Sequence, residues 1–374
     1  MLDGSDRRAP RRTRTRTRRR GAAALTATCL LLAATGASDR LAARPGHRAG
    51  AAEGPAAAAR RAPGTITLAF AGDVHFAGRT AARLGLDPAL GPVSAHLAAA
   101  DFAMVNLESA ITTRGTPQPK TYHFRTTPAA LTALRDSGVD AVTMANNHAV
   151  DYGAEGLADT VAAARAARIP VLGIGADAAQ AYRPYTATIG GVRLALLAAS
   201  QIDDITNADF RAGPATAGIA SALDRPRLLA AVRAARAHAD AVVVYLHWGT
   251  EGESCPTAEQ TSLAADLAAA GAAAVVGTHA HVVLGSGMLG RTFVAYGLGN
   301  FLWYGTSPYP HSDETGVTTL TLDRAGRVTG AGFSPALVGS QGLPEPQTGR
   351  EGVEITRRQA ELRGCTGLAA PPAG

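Results

Sequence analysis

Five apolar runs in this sequence end in histidine, acidic or amide residues, and these polar residues have the clearest capacity for chemistry. The runs are LAFAGDVHF (Asp73, His75), FAMVNLES (Asn106, Glu108), DAVTMANNHAVDYG (Asn146, Asn147, His148), DAVVVYLHWGTE (His247, Glu251) and AAVVGTHAHVVLG (His279, His281). Short apolar runs predict buried β-strands, and a buried strand has no need of polar ends. The recurrence therefore predicts one shared polar centre, and a metal site is the first hypothesis.

Two of these runs carry their polar residues at alternate positions. One residue separates Asp73 from His75, and one residue separates His279 from His281. If the strands stay extended there, both members of each pair point to the same face. A lone Asp at a strand end is commonly a turn former, whereas two alternate histidines are harder to explain structurally.

The other polar ends have structural as well as functional explanations. Residues 146–148 could cap the helix that follows, and Glu108 or His247 taken singly is typical of a structural residue. Together, the carboxylate, amide and imidazole groups match a two-metal centre with mixed oxygen and nitrogen ligands and no cysteine. A histidine beside an amide ligand could also protonate a leaving group, which makes His148 the candidate acid.

The basic charge of the chain is concentrated at its amino end. Residues 1–60 hold 13 Arg and 4 acidic residues, which leaves 23 basic and 26 acidic residues for the rest. The predicted domain is therefore slightly acidic, which argues against nucleic-acid binding. An Arg-rich stretch, an apolar run over 22–34 and small residues up to Ser38 predict an export signal at 1–38, with an N-terminal membrane anchor as the alternative. We expect a secreted or extracytoplasmic cell-envelope protein.

Two cysteines remain once such a signal is removed, Cys255 and Cys365. In an oxidising compartment we expect them to form a disulfide that ties the C-terminal tail to the loop after His247. Two unpaired buried thiols are the alternative.

Strand and helix signals alternate from about residue 65, which predicts an α/β fold. We expect strands near 65–71, 102–106, 140–144, 169–172, 185–189, 192–198, 241–246, 273–276, 281–284, 292–296, 316–322 and 327–332, and helices near 88–99, 128–137, 154–167, 225–238, 257–270 and 354–363. Early crossovers and late hairpins predict two sheets packed face to face with helices outside. A disordered linker rich in Ala, Arg, Gly and Pro is predicted at 39–64, the folded domain at 65–340 and a tail at 341–374.

The ordered motifs AGDVHFAG, VNLES, ANNHAVDYGAEGL, LHWGTE, GTHAHVVLG and YGLGNF resemble those of the CapA family of capsule or poly-γ-glutamate synthesis proteins. The resemblance covers roughly residues 65–340. That family is similar to the calcineurin-like metallophosphoesterases, whose metals lie at strand ends. The resemblance therefore implies a four-layer α/β/β/α sandwich.

The resemblance also implies two divalent metal ions, either Mn, Fe or Zn, and a ligand set for each. Asp73, His75 and His281 would hold one ion, and Asn147, His247 and His279 would hold the other. Glu108 stands where the phosphoesterases place a bridging Asp, so it would have to bridge the two ions. The candidate substrate-binding residues are Asn106, Asn146, Trp248, Glu251 and Asn300.

Two functional hypotheses follow from this resemblance and from the export signal. The first is a metal-dependent hydrolase of cell-envelope polymer metabolism that acts on a phosphoester, with His148 protonating the leaving group. The second is a non-catalytic component of a capsule or poly-γ-glutamate synthesis complex, which binds or exports an anionic polymer beside membrane-bound synthesis subunits. A simple α/β domain whose histidines never meet is the remaining alternative.

Overall fold

The computed structural model describes residues 64–305 and 308–373. The predicted export signal, and the predicted linker apart from Gly64, lie outside the described residues. The strands are β1 (Ile66–Val74), β2 (Phe102–Leu107), β3 (Ala110–Ile111), β4 (Arg125–Thr126), β5 (Ala141–Thr143), β6 (Val171–Leu172), β7 (Ile174–Gly175), β8 (Tyr185–Ile189), β9 (Val192–Ser200), β10 (Gly218–Ile219), β11 (Ala241–Trp248), β12 (Ala274–His279), β13 (Ser286–Leu289), β14 (Thr292–Ala295), β15 (Asn300–Leu302), β16 (Glu314–Leu322), β17 (Val328–Val338) and β18 (Pro344–Pro346).

The helices alternate with these strands, as expected for an α/β fold, and the last helix follows the last strand. They are α1 (Ser94–Ala98), α2 (Ala129–Asp136), α3 (Gly153–Ala166), α4 (Ala178–Ala181), α5 (Ile205–Asp209), α6 (Arg225–Arg236), α7 (Ala258–Ala269) and α8 (Gly349–Glu361), with 3-10 segments at Gly78–Gly85, Gly91–Val93 and Leu362–Cys365. None of the described helices is both long enough and apolar enough to cross a membrane.

Two large sheets form the body of the structure. The first has the order β18-β17-β16-β1-β2-β5-β6, with β15 also paired to β1. The second has the order β13-β14-β12-β11-β9-β8. Strands β1, β2, β5 and β6 run parallel in the first sheet, and β9, β11, β12 and β14 run parallel in the second. Antiparallel strands flank the parallel ones at one edge of the first sheet and at both edges of the second.

Alternation along the strands builds three apolar layers. Leu68 and Phe70 of β1 point into a core shared with Leu196 of β9 and Val243 of β11, so the two sheets pack face to face. The intervening residues of β1 point away from that core, toward helices α1, α2 and α3. Helices α6 and α7 pack on the outer face of the second sheet. The predicted α/β/β/α sandwich is thus confirmed, and each large side chain fully buried in it contributes roughly 1.5–3 kcal/mol.

Two sequence predictions for single elements are wrong. The helix expected over 88–99 is reduced to the segment Gly91–Val93 and the short α1, because Pro88 and Pro92 have no backbone N–H and Gly91 has a φ of +66°. The strand expected over 281–284 is absent from the described residues, and the next strand, β13, begins only at residue 286.

The C-terminal segment is more ordered than its sequence pattern indicates. Strand β18 pairs with β17, and α8 packs on β17. Cys255 and Cys365 form a disulfide with a Cα–Cα distance of 5.8 Å, which joins the loop after β11 to the 3-10 segment after α8. Residues beyond 340 therefore pack on the same layers as the rest of the folded chain.

Candidate metal centre

The carboxyl ends of parallel strands from both sheets meet at one edge of the sandwich. Asp73 of β1 lies opposite Asn106 of β2 and opposite Asn300 of β15. In the second sheet, His279 of β12 lies beside the end of β11, where His247 stands. The strands of a layered α/β fold thus bring together polar residues that are far apart in sequence.

Backbone strain marks the same edge. His279 has a φ of +97° and His281 a φ of +58°, in the left-handed region that residues other than glycine rarely adopt. Such strain costs on the order of 1–3 kcal/mol per residue and is concentrated at functional sites. The two histidines are therefore turned toward the centre at the expense of local backbone energy.

Asp73 is fully buried, and both of its carboxylate oxygens accept hydrogen bonds. Oδ1 accepts from Asn106 Nδ2 at 2.7 Å, and Oδ2 accepts from the backbone N–H of His279 at 3.1 Å. Burial, followed by repulsion from Glu108, raises the pKa of Asp73 from its ordinary 3.8 to about 6. Asp73 therefore connects the first sheet to the strained end of β12.

Glu108 is fully buried, and neither of its carboxylate oxygens has a hydrogen-bond partner among the described residues. Its Oε1 lies 3.5 Å from His247 Nε2 and 3.8 Å from His148 Nε2. Burial raises the pKa of this carboxyl group. Because an uncompensated buried carboxylate is costly, such a group normally has a cation or donors beside it.

The histidines around Glu108 are buried and favour the neutral form. His247 Nε2 lies 2.8 Å from Asn147 Oδ1 and 3.1 Å from His279 Nδ1. Burial lowers the pKa of His247 to about 4 and lowers the pKa of His279 well below its ordinary value. A neutral imidazole has the free nitrogen lone pair that a metal ion requires.

Among the described residues, three groups of side chains place their possible ligand atoms within 4.8 Å of one another. They are Asp73, Glu108 and His281; Glu108, His247 and His279; and Glu251, His279 and His281. The first two groups share Glu108, which is the position from which one carboxylate could bridge two ions. The unpartnered oxygens of Glu108 and the mixture of oxygen and nitrogen donors fit a site for divalent metal ions.

His75 does not join these groups, although its spacing from Asp73 predicts a ligand. Strand β1 ends at Val74, so the extended backbone required by that prediction stops before His75. The ring instead stacks on Phe124 at 4.4 Å, with its Nδ1 3.3 Å from the backbone nitrogen of Ala77 and its Nε2 3.2 Å from that of Tyr304. In this structure both ring nitrogens of His75 face the backbone rather than the candidate ligands.

Three asparagines predicted to bind substrate are instead buried and hydrogen-bonded within the protein. Asn106 Oδ1 accepts from Asn146 Nδ2 at 2.9 Å, while its own Nδ2 binds Asp73. Asn300 Oδ1 lies 3.0 Å from His281 Nδ1, and its Nδ2 donates to the His281 carbonyl oxygen at 3.2 Å. Asn106, Asn146 and Asn300 therefore hold and orient candidate ligands, and that they bind substrate stays a prediction.

Trp248 and Glu251 have opposite environments. Trp248 is fully buried, and its Nε1 donates to the Tyr296 carbonyl oxygen at 2.8 Å; that it binds substrate stays a prediction. Glu251 is 44% exposed, and its Oε1 lies 4.0 Å from His281 Nε2. Glu251 therefore keeps a position from which it could meet a substrate.

His148 has a carboxylate partner that the sequence reasoning missed. Its Nδ1 lies 2.7 Å from Asp151 Oδ2, and because a carboxylate only accepts, this nitrogen carries the proton. Burial lowers the pKa of His148, while Asp151 opposes that shift. Asp151 in turn lies 2.9 Å from the ammonium group of Lys120. The spacing of three residues between His148 and Asp151 was the available signal for the pair.

Fold and centre together define a layered α/β protein with a candidate metal site at the edge where two sheets meet. The chain belongs to the family of bacterial capsule synthesis proteins described as PGA_cap, whose family model matches residues 67–304. This match confirms the resemblance to CapA proteins that the strand-end motifs indicate.

Individual relatives are similar over part of the chain. The PGA biosynthesis protein CapA of Bacillus subtilis (strain 168) is 29% identical over 244 residues, which are 64% of this chain and 63% of that protein. The match thus spans less than two thirds of that relative's length. A probable polyglutamine synthesis accessory protein of Mycobacterium tuberculosis is 41% identical over 99 residues, 25% of each chain. Among solved structures, a 5'-nucleotidase precursor from Thermus thermophilus is similar with a TM-score of 0.45 and 16% identity, over 79% of this chain and 58% of that one.

Proposed function

We propose that this protein is an exported accessory protein of capsule or poly-γ-glutamate synthesis whose centre binds two divalent ions and hydrolyses a phosphoester. The observation that carries the proposal is Glu108, a buried carboxylate without a hydrogen-bond partner in the described part of the chain, with His247 and His148 within 4 Å of it. Divalent cations would compensate this charge directly. The similarity to a poly-γ-glutamate (PGA) biosynthesis protein supports the role in polymer synthesis, and the composition of residues 1–38 supports export.

Six residues would hold the ions in this proposal. They are Asp73, Glu108, Asn147, His247, His279 and His281. When bound, the ions would supply Lewis-acid stabilisation of the negative charge that develops on the phosphoryl oxygens. Membrane-bound polymer synthesis subunits would be the partners, and the phosphoester would be anionic like the polymer.

His148 would be the acid. Its Nδ1 proton is held by Asp151, so Nε2 is the nitrogen that would carry a proton to the leaving oxygen. The Asp151 carboxylate would stabilise the ring once it is protonated. Phe124 packs against the ring at 4.3 Å and limits its rotation.

A non-catalytic polymer-binding role is the second candidate. It is favoured by the position of His75, whose ring nitrogens face the backbone, so that the group around Asp73 contains three donors rather than four. In this role the same charged centre would bind or guide an anionic polymer without cleaving it.

Metal content and turnover test the first proposal directly. The purified full chain is incubated with Mn²⁺, Fe²⁺ or Zn²⁺, desalted and measured by mass spectrometry, and activity is assayed with bis-p-nitrophenyl phosphate. We expect two ions per chain, and a loss of at least one ion with about a 100-fold lower kcat in Glu108→Gln, since the removed charge serves both ions. The exposed Glu351→Gln is the matched control and should behave like the wild type.

The outcomes separate the two candidates. Less than one ion per chain together with no turnover rejects the hydrolase. Bound ions without turnover, together with polymer production in cells that survives His148→Ala but fails on deletion of the protein, support the polymer-binding role.

A further inference from the structure

Lys120 is the only lysine in a chain that contains 35 arginines, and it lies beside the candidate centre. It belongs to the loop between β3 and β4, and its side chain is only 16% exposed. Its Nζ donates to the carbonyl oxygen of Asn147 at 2.6 Å and to Asp151 Oδ1 at 2.9 Å. A third acidic group, Asp204 Oδ2, lies 3.8 Å away. The ammonium group therefore contacts, at two points, the loop between β5 and α3 that carries Asn147 and His148.

The first contact fixes the peptide of a candidate metal ligand. The Asn147 carbonyl oxygen also accepts from Thr206 Oγ1 of α5 at 2.7 Å, so two donors from different segments hold the same peptide. The side chain of Asn147 then reaches His247 Nε2 at 2.8 Å. A displaced Asn147 peptide would move the amide oxygen away from the histidines.

The second contact supports the candidate acid. Asp151 is fully buried, and its Oδ2 accepts from His148 Nδ1 and from the backbone N–H of Phe124 at 2.6 Å. Lys120 places a positive charge 2.9 Å from this buried carboxylate, and removal of one partner from a buried pair leaves an uncompensated charge. The hydrogen bond to Asp151 Oδ2 keeps the proton of His148 on Nδ1.

The shape of the ammonium group suits these two contacts. A lysine ammonium is compact and has three donors in tetrahedral directions, whereas the guanidinium group of arginine is planar and larger. The carbonyl oxygen and the carboxylate oxygen both contact the same mostly buried nitrogen, at distances typical of charge-assisted hydrogen bonds. An arginine would have to displace one of them.

We propose that Lys120 is a positioning residue that fixes Asn147 and the Asp151–His148 pair in one arrangement. The proposal rests on the proposed hydrolytic function, because it assigns Lys120 to the metal ligand and the acid of that reaction. Lys120 contacts the backbone of Asn147 and the carboxylate of Asp151, and it acts through these two groups. Its loss should lower kcat and weaken metal binding while substrate affinity changes little.

The test compares two chemical forms of one variant. Lys120→Cys is prepared in the full chain and, once folded, treated either with 2-bromoethylamine, which restores a primary amine, or with iodoacetamide, which adds a neutral amide. Wild-type protein receives both reagents, which controls for the other thiol, Cys29. For each form, the Mn²⁺ dissociation constant, kcat and KM on bis-p-nitrophenyl phosphate, and the ¹⁵N spectrum of the His148 ring are measured.

We expect the amide form to have a kcat lower by about 30-fold, Mn²⁺ binding weaker by about tenfold and KM within about threefold of wild type, in line with the usual cost of losing a group that supports a ligand. The amine form should recover most of the kcat and the Mn²⁺ affinity, and the wild-type Nδ1–H signal of His148. Arg193→Met is the control, because it removes the cation beside Asp240 at the start of β9, whereas the end of β9 pairs with His247. It should change none of these values.

Failure of the role assigned to Lys120 and failure of the proposed function give different results. If the amine and amide forms are equal in kcat, Mn²⁺ affinity and His148 spectrum while the wild type is active, the role assigned to Lys120 is wrong. If the wild type neither binds Mn²⁺ nor turns over the phosphodiester, the proposed function fails, and the His148 spectra alone decide whether Lys120 orients that ring.

Discussion

At the level of single residues, burial shifts the carboxyl groups and the imidazoles of the centre in opposite directions. It raises the pKa of Asp73 and Glu108 and lowers that of His247 and His279. Both shifts favour the neutral form, which is the general effect of a low-dielectric environment on an ionisable group. Bound cations would lower the pKa of the carboxyl groups again. The neutral imidazoles could then serve as ligands of these cations.

These shifts predict how the stability of the metal-free chain depends on pH. The pKa of His247 is about 4 in the folded chain, against its ordinary 6.5, so acidification from 6.5 to 4 favours the unfolded state by on the order of 3 kcal/mol from this ring. Asp73 acts in the opposite direction, because its folded pKa of about 6 exceeds 3.8 and the folded carboxyl is protonated first. The pKa values of His75, His148 and His279 are lowered as well. Within the centre, the four rings with a lowered pKa outnumber Asp73 and Glu108, the two carboxyl groups with a raised pKa, which predicts that the centre loses stability in acid.

Urea unfolding with a chelator present at pH 7, 5.5 and 4.5 measures this loss. We expect His247→Asn to reduce the dependence on pH and the exposed His238→Asn to leave it unchanged. A free energy of unfolding that rises on acidification would contradict the assignment of these rings as neutral and buried.

At the level of elements, the close approach of β1 to the segment before β15 places Asp73. The backbone N–H of Asp73 donates to the Gly299 carbonyl oxygen at 3.0 Å. A Cβ atom at Gly72 would lie 1.9 Å from that same oxygen. Gly72 is therefore required because a neighbouring backbone occupies the space of a side chain.

Gly72→Ala should accordingly damage both stability and the centre. The added methyl group must push Gly299 away, which we expect to lower the free energy of unfolding by about 3 kcal/mol and to weaken metal binding by separating Asp73 from Asn300. Gly332→Ala is the matched control, because Gly332 is a strand glycine whose Cβ would meet no atom within 4 Å. Denaturant unfolding and Mn²⁺ titration check both variants. Equal behaviour of the two would show that the strand can shift without affecting Asp73.

The sequence predicts those parts of the fold that repeat a local signal. Apolar runs of useful length identify β1, β2, β9 and β11, and the layered architecture follows from their alternation with helices. Strands β15 and β18 have three residues each, which is too short for a periodic pattern. They form because β1 and β17 offer them a partner edge, and that information is not local.

In the candidate site too, some positions follow from the local sequence and others depend on distant contacts. The strand-end positions of Asp73, Glu108, His247 and His279 could be inferred from their neighbours in sequence. The position of His75 depends on Phe124 and Tyr304, which are far away in the chain. The burial of Trp248 in the outer core could also be inferred, because consecutive residues of a strand face opposite sides and His247 faces the centre.

At the level of the whole molecule, the centre lies where the edges of two independent sheets meet. Asp73 lies in β1 of the first sheet, and Glu108 directly follows β2 of the same sheet. His247 and His279 lie in β11 and β12 of the second sheet. Among direct links between the sheets, Tyr245 Oη of β11 donates to the Ala71 carbonyl oxygen of β1 at 2.6 Å. Ions held by residues of both sheets would therefore add to the cohesion of the sandwich as a whole.

Bound divalent ions should consequently stabilise the entire fold. An ion that binds only the folded chain adds about 2.7 kcal/mol per site when its free concentration is about 100 times its dissociation constant. We expect Mn²⁺ to raise the unfolding midpoint of the wild type in a single cooperative transition, because its ligands come from both sheets. Glu108→Gln should gain less than half of this stabilisation, since the shared carboxylate is lost, and Glu351→Gln should gain all of it. Thermal unfolding at several Mn²⁺ concentrations measures the effect, and a midpoint independent of Mn²⁺ in the wild type would mean that the two sheets share no metal centre.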